Sequence, residues 1–198
     1  MNEVIGMDRL EIEHKFVVGE NFALEAFLER CAQLKPLRQK QLDVRDRYYL
    51  LPGRRDLVLR HRFDEELQQL TVKSRGTDAE IRQEINLDLI PGSDQGYKVE
   101  AWTALLGATE AKQIDKSIWV FDFPDCEVVY YEAQHKESGR RVRCVEVEAK
   151  GAASVADALR VLEVYEDALG FRGERRSQRD LLSLLLTPST PPEEGALP

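Results

Sequence analysis

Cysteine is scarce in this 198-residue chain, and Cys31, Cys126 and Cys144 form no C-x-x-C pair. So sparse and odd a set points to reduced thiols packed as small hydrophobes, with an approach of Cys126 to Cys144 across a hairpin left open. Long apolar runs are missing as well: none approaches the ~20 residues that a membrane-spanning helix needs. Residues 1–9 are mixed and polar, without the apolar core of a secretory signal. The expected location is therefore the cytoplasm, with no membrane partner. Positive charge is in deficit, with 28 Lys and Arg against 36 Asp and Glu and a net charge of −8. That balance argues against general nucleic-acid binding, which displaces counterions with a positive surface, but leaves room for a local basic pocket. The glycines form neither a phosphate loop nor a dinucleotide fingerprint. His14, His61 and His135 lack the H-E-x-x-H spacing of a zinc hydrolase and are read as packing or surface residues.

What the chain does contain is enough apolar material for a core, at 42%, and an unusual share of charge, at 32% against roughly 25% in an average domain. Polar and apolar residues alternate, as in half-buried strands, over 10–18, 42–50, 57–64, 67–73, 80–87, 111–121, 127–136 and 141–149. Turn chemistry at Pro52-Gly53, Ser74-Arg75-Gly76 and Ser138-Gly139 separates several of them. Helical stripes run through Phe22–Leu34 with Asn21 as cap, Tyr97–Leu105, Val155–Leu169 between Ser154 and Gly170, and Leu181–Leu185 behind Ser177 and Asp180. Residues 187–198, rich in Pro, Ser, Thr and Glu, are expected to be a disordered tail after one domain spanning 1–186. Most connections are too short for parallel crossovers. The expected fold is therefore mainly β, a closed eight-stranded antiparallel barrel with flanking helices.

The alternation places charge on one face of strand after strand. Glu11, Glu13 and Lys15 oppose Leu10, Ile12 and Phe16; Arg60 and Arg62 oppose Leu57, Leu59 and Phe63. Lys73 shares a face with Thr71; Glu80, Arg82, Glu84 and Asn86 oppose Ile81, Ile85 and Leu87; Glu146 and Glu148 share a face. One such strand alone is an ordinary solvated face. Five of them, with helices available to cover the apolar sides, suggest that the charged faces line a lumen. Charge enclosed in this way is costly unless paired or met by a ligand. Clustered carboxylates suit Mg²⁺ or Mn²⁺, and Arg and Lys hold polyphosphate oxygens.

With these residues in view, Glu11-Ile12-Glu13-His14-Lys15 resembles the E-x-E-x-K motif of the CYTH domain, or triphosphate tunnel metalloenzyme, superfamily. The motif alone is weak. Its order with Asp46-Arg47-Tyr48-Tyr49, Leu59-Arg60-His61-Arg62, Thr71-Val72-Lys73-Ser74, Arg82-Gln83-Glu84 and Val145-Glu146-Val147-Glu148 is far more specific, and the likeness spans residues 10–186. The resemblance implies an eight-stranded tunnel that binds a small-molecule triphosphate with Mg²⁺ or Mn²⁺. Glu11, Glu13, Glu146 and Glu148 would bind metal, and Lys15, Arg60, Arg62, Lys73 and Arg82 phosphate. Glu84 would either bind metal or orient Arg82. Glu11, Glu13 and Lys15 are the expected catalytic group. The family's K-x-R pair is reduced here to Lys116, the acidic position on the following strand falls on Tyr130 or on Glu132 in a shifted register, and a frequent Ser-Tyr pair reads Ser177-Gln178. Family activities include hydrolysis of inorganic, thiamine or nucleoside triphosphates and adenylyl cyclisation. Ile5-Gly6 stands where the cyclase branch carries His-Phe, which favours hydrolysis, with cyclisation and a catalytically weak polyphosphate-binding module as alternatives. A homodimer is left open.

Overall fold

The computed structural model describes residues 10–54, 56–64, 66–74, 80–90, 95–108 and 110–186. Eight antiparallel strands close into a barrel: β1 (Leu10–Val18), β2 (Arg38–Leu50), β3 (Leu57–Phe63), β4 (Gln68–Ser74), β5 (Ile81–Asp88), β6 (Glu110–Asp122), β7 (Cys126–His135) and β8 (Arg141–Ala149). The order around the barrel is β1-β5-β4-β3-β2-β6-β7-β8. Two meanders, β2 to β5 and β6 to β8, are joined along a 13-residue ladder running from Arg38↔Asp122 to Leu50↔Glu110. β1 closes the remaining gap, pairing Glu11 with Arg82 on one side and Glu13 with Glu148 on the other. Every neighbour is thus antiparallel, as the short connections require. The expected 187–198 tail and the Arg75-Gly76 turn lie outside the described residues. No described helix is long and apolar enough to cross a membrane.

Helices α1 (Leu24–Gln33), α2 (Gly96–Leu105) and α3 (Val155–Leu169) cover the outside. Phe27 and Cys31 of α1 and Ala158, Leu162 and Leu169 of α3 bury Ile12, Phe16, Val128, Tyr130, Val145 and Val147. Burying each large side chain contributes roughly 1.5–3 kcal/mol, so this layer decides which face of each strand turns outward. The charged face is left with the lumen. Val99 of α2 makes a smaller cluster with Tyr49, Leu59 and Leu70. The short helix α4 (Leu181–Leu186) behaves differently: Leu181, Leu182 and Leu185 pack on inward-facing Val44, Ile118 and Tyr131, filling part of the lumen.

Side-chain caps mark the start of α3 and α4. Ser154 accepts from the Asp157 amide, and Gly170 ends α3 at φ 86°, the left-handed region where a side chain is strained. Ser154→Ala is expected to cost about 1 kcal/mol in denaturant unfolding; a change within error would mean the cap is idle. The expected Asn21 cap is not used. Ala23 holds that position without a side-chain hydrogen bond, because α1 starts later, at Leu24. Of the pair before α4, Asp180 accepts from the Ser183 amide at 2.7 Å, whereas the Ser177 amide donates to the Lys15 carbonyl at 2.7 Å. Cys126 and Cys144 point to opposite sides of the barrel wall, one in the outer core and one inside, and all three cysteines are free.

Candidate active site in the lumen

A cavity of about 610 Å³ runs inside the barrel and is lined by Glu11, Glu13, Lys15, Arg60, Arg62, Lys73, Arg82, Glu84, Lys116, Glu146 and Glu148. Every residue expected at the site therefore faces one space. Glu80 does not. It precedes β5 and turns to the outer surface, where it bonds Gln178 at 2.8 Å and approaches Arg176 at 3.3 Å. The outward faces of β1 and β3 carry His14 and His61, both buried. His14 hydrogen-bonds Glu166 of α3 through Nδ1, on the far side of the strand from Glu13.

One oxygen from each of Glu11, Glu13 and Glu148 lies within 4.8 Å of the others. Burial first, then Glu11, Glu13 and Glu127, pushes the Glu148 carboxyl well above its usual range; Glu13 is raised by burial and then by Glu146. Glu11 Oε2 is buried without a hydrogen bond, its 3.2 Å approach to Arg82 being an ion pair only. Hard carboxylate oxygens crowded in this way fit a divalent cation of the Mg²⁺ or Mn²⁺ kind. Glu146 and Glu84 stand outside that trio. Burial would raise Glu146, but Lys15 at 3.0 Å, with Lys116, outweighs it and brings the carboxyl to about 2. Glu84 likewise reaches about 2 because Lys73 and Arg60 overcome burial. Glu84 contacts Lys73, Arg60 at 3.8 Å and Asn86 at 2.8 Å, and its charge also supports the Arg82 guanidinium.

The cations are arranged around these acids. Lys73 meets Glu11 at 2.6 Å, Arg82 pairs with Glu13 and Glu11, and Arg60 donates to Thr71 at 3.1 Å. Arg60 Nε and Arg82 Nε are buried with no acceptor, leaving donors that phosphate oxygens would satisfy. Lys15 stays protonated: burial opposes its charge, but Glu146 and Glu13 prevail. A network of this kind is weak evidence for stability, since well-packed apolar residues would serve as well or better.

Three further residues face the lumen: Asp46, Glu127 and Tyr131. Asp46, with 0% exposure, takes a two-pronged bond from Arg62 (2.8 and 2.9 Å) and a 2.7 Å contact from Lys116. The sequence carries a signal: Leu42, Val44, Asp46 and Tyr48 form a period-two inward row interrupted by one acid. The carboxylate that β7 presents to the lumen is Glu127, opposite Glu148, and not Tyr130 or Glu132. Tyr130 packs under Phe22 and Phe27 in the outer core, and Glu132 pairs with Arg143 at 3.0 Å. Counting Glu127, Val129 and Tyr131 as one face finds this register. Tyr131 donates to Glu146 at 2.8 Å.

The CYTH domain family matches residues 9–152. Among solved structures, the chain is similar to the PH1012 protein of Pyrococcus horikoshii OT3, with a TM-score of 0.68 and 18% identity over 88% of this chain and 99% of that one. It is also similar to a conserved hypothetical protein of Pyrococcus furiosus, with a TM-score of 0.65 and 23% identity over 88% and 99%. A protein of Bacillus halodurans, provisionally described as an adenylate cyclase, follows at 0.59 and 16% over 90% and 100%. At such identities the likeness speaks for the fold alone. No curated protein matches the chain.

Proposed function

The chain belongs to the CYTH domain family, and on that basis we propose that it is a divalent-metal-dependent hydrolase of a triphosphate compound. The observation that carries this reading is the enclosure of a three-carboxylate cluster and a set of Arg and Lys side chains in one cavity. Glu11, Glu13 and Glu148 would hold Mg²⁺ or Mn²⁺, with Glu146 and Glu84 holding the neighbouring cations in place. When bound, such an ion supplies charge neutralisation on the phosphate chain and lowers the pKa of the attacking water. Lys15, Arg60, Arg62, Lys73, Arg82 and Lys116 clamp the triphosphate and offset the charge that spreads over the transferred group. Lys15, held protonated by Glu146 and Glu13, acts as a fixed cation and not as a proton acceptor. Water attacks the terminal phosphorus and the bond to its bridging oxygen breaks, releasing orthophosphate.

The test is a turnover screen of tripolyphosphate, thiamine triphosphate and ATP with Mg²⁺ and with Mn²⁺. Orthophosphate release that stops with chelator is the expected result. Cyclic AMP from ATP would replace hydrolysis with cyclisation, and tight binding without turnover would leave a binding module. Arg60→Ala is expected to weaken triphosphate binding by about 1.5–3 kcal/mol, the worth of a charged hydrogen bond. Unchanged affinity in calorimetry would remove Arg60 from the clamp.

A further inference from the structure

Three residues stand directly abreast on neighbouring strands: Arg60 of β3 opposite Thr71 of β4, and Thr71 opposite Asn86 of β5. Arg60 donates from Nη2 to the Thr71 hydroxyl at 3.1 Å, Thr71 to Asn86 Oδ1 at 2.7 Å, and Asn86 Nδ2 to Glu84 at 2.8 Å. The two ends fix the direction of this relay. A guanidinium only donates and a carboxylate only accepts, so the hydroxyl between them accepts from Arg60 and passes its single proton on. Asn86 takes that proton in preference to Gln69, whose side-chain oxygen lies at 3.4 Å. Thr71 has 0% exposure, so bulk water does not compete for the hydroxyl.

The relay ties Arg60 to Glu84 without a direct hydrogen bond between them. Their own approach is 3.8 Å, an ion pair beyond hydrogen-bond range. Arg62, on the same face of β3, shows the alternative: it spends two donors on Asp46 at 2.8 and 2.9 Å. Arg60 is instead gripped at one nitrogen by a neutral hydroxyl, and its Nε has no acceptor among the described residues. Its orientation is fixed while most of its donors are left for an anion. We propose that Thr71, backed by Asn86, is a positioning residue that presents Arg60 to a phosphate group. This rests on the triphosphate clamp of the reading above.

The experiment measures tripolyphosphate affinity by calorimetry in the full chain with chelator present, so that binding is read without turnover. Thr71→Val, which keeps the shape and removes the hydroxyl, is expected to weaken binding by ~3- to 10-fold, the worth of one hydrogen bond. Thr71→Ser, which keeps a hydroxyl, is expected to bind like the wild type. In an Arg60→Ala background Thr71→Val is expected to cost nothing more, because a residue acting through another has no separate effect once that partner is gone. Asn86→Ala, at an exposed position lining the cavity, should repeat the pattern and decides the matter where Thr71→Val fails to fold. Wild-type affinity in either variant overturns the proposal. So does a loss that simply adds to that of Arg60→Ala, or equal weakening in Thr71→Ser. The expected pattern without orthophosphate release from any triphosphate removes the hydrolase reading and leaves the relay standing. A wild type that binds no tripolyphosphate removes both.

Discussion

Glu148→Gln is expected to raise the melting temperature of the metal-free protein while cutting metal-dependent turnover by ~100-fold or more. The stability gain follows from the environment of the carboxyl, which burial, Glu11, Glu13 and Glu127 push well above its usual range. A carboxyl with a raised folded pKa contributes stability that is complete below its unfolded pKa and lost as pH rises through the folded one. Above its unfolded pKa the folded carboxyl therefore retains a proton at a free-energy cost that glutamine does not carry. For a chain of this size each kcal/mol relieved raises the midpoint by ~2–4 °C. The loss of turnover follows because glutamine withdraws one of the three carboxylates from the cluster, and even supporting residues of metal sites cost 10–100-fold in affinity or activity. Mg²⁺ or Mn²⁺ should raise the wild-type midpoint by mass action and leave the variant's nearly unmoved. Wild-type affinity for either ion should rise with pH, because binding displaces the Glu148 proton. Scanning calorimetry with chelator and then with each ion tests all three; a lower metal-free midpoint with an intact metal response would refute the assignment.

Asp46→Asn is expected to give the largest loss of stability of any lumen substitution, about 3–5 kcal/mol, because it leaves the buried Lys116 and the partly buried Arg62 without their counter-ion. Arg62 holds the carboxylate with two hydrogen bonds, and Lys116 reaches it at 2.7 Å. The substitution should also change the pH range of phosphate binding. Burial, with Arg62 and Arg60 nearby, lowers the Lys116 ammonium to about 8 even though Asp46 supports its charge. Lys116 thus carries its charge below pH 8 and loses it as pH rises through that value. Tripolyphosphate affinity in the wild type should weaken over the same interval. Without the Asp46 charge the weakening should begin at lower pH. Denaturant unfolding gives the stability loss, and Kd measured by calorimetry between pH 6 and 9 gives the limb. An unshifted limb in the variant would show that Lys116 draws its charge support from elsewhere.

Much of this site can be read from alternation alone. Glu11, Glu13 and Lys15 fall on the same side of β1 whatever surrounds it, and Arg60 with Arg62, or Glu146 with Glu148, obey the same rule, since side chains alternate with period two in any strand. Strand positions were legible for the same reason, apart from β2, which begins at Arg38 and not at Leu42 and so brings Arg38 and Lys40 to the cavity mouth. Reading failed where a residue's face depended on register. Tyr130 and Glu132 looked suitable on β7 by chemistry, yet a one-residue shift exchanges inside for outside, and Glu127 with Tyr131 took the inward row.

Local alternation, then, determined which side chains share a face and that the apolar faces wanted helices. Alternation cannot say which strands become neighbours, because that depends on closure between segments distant along the chain. Only the tertiary structure joins β1 to both β5 and β8, setting Glu11 and Glu13 beside Glu148 and Arg82. Only packing decides that α4, with six residues of which five are leucine, turns into the lumen and not onto the surface. Burial of the outer faces under α1 and α3 is the physical reason: once those helices claim Ile12, Phe16, Val145 and Val147, the alternate residues have only the lumen to face.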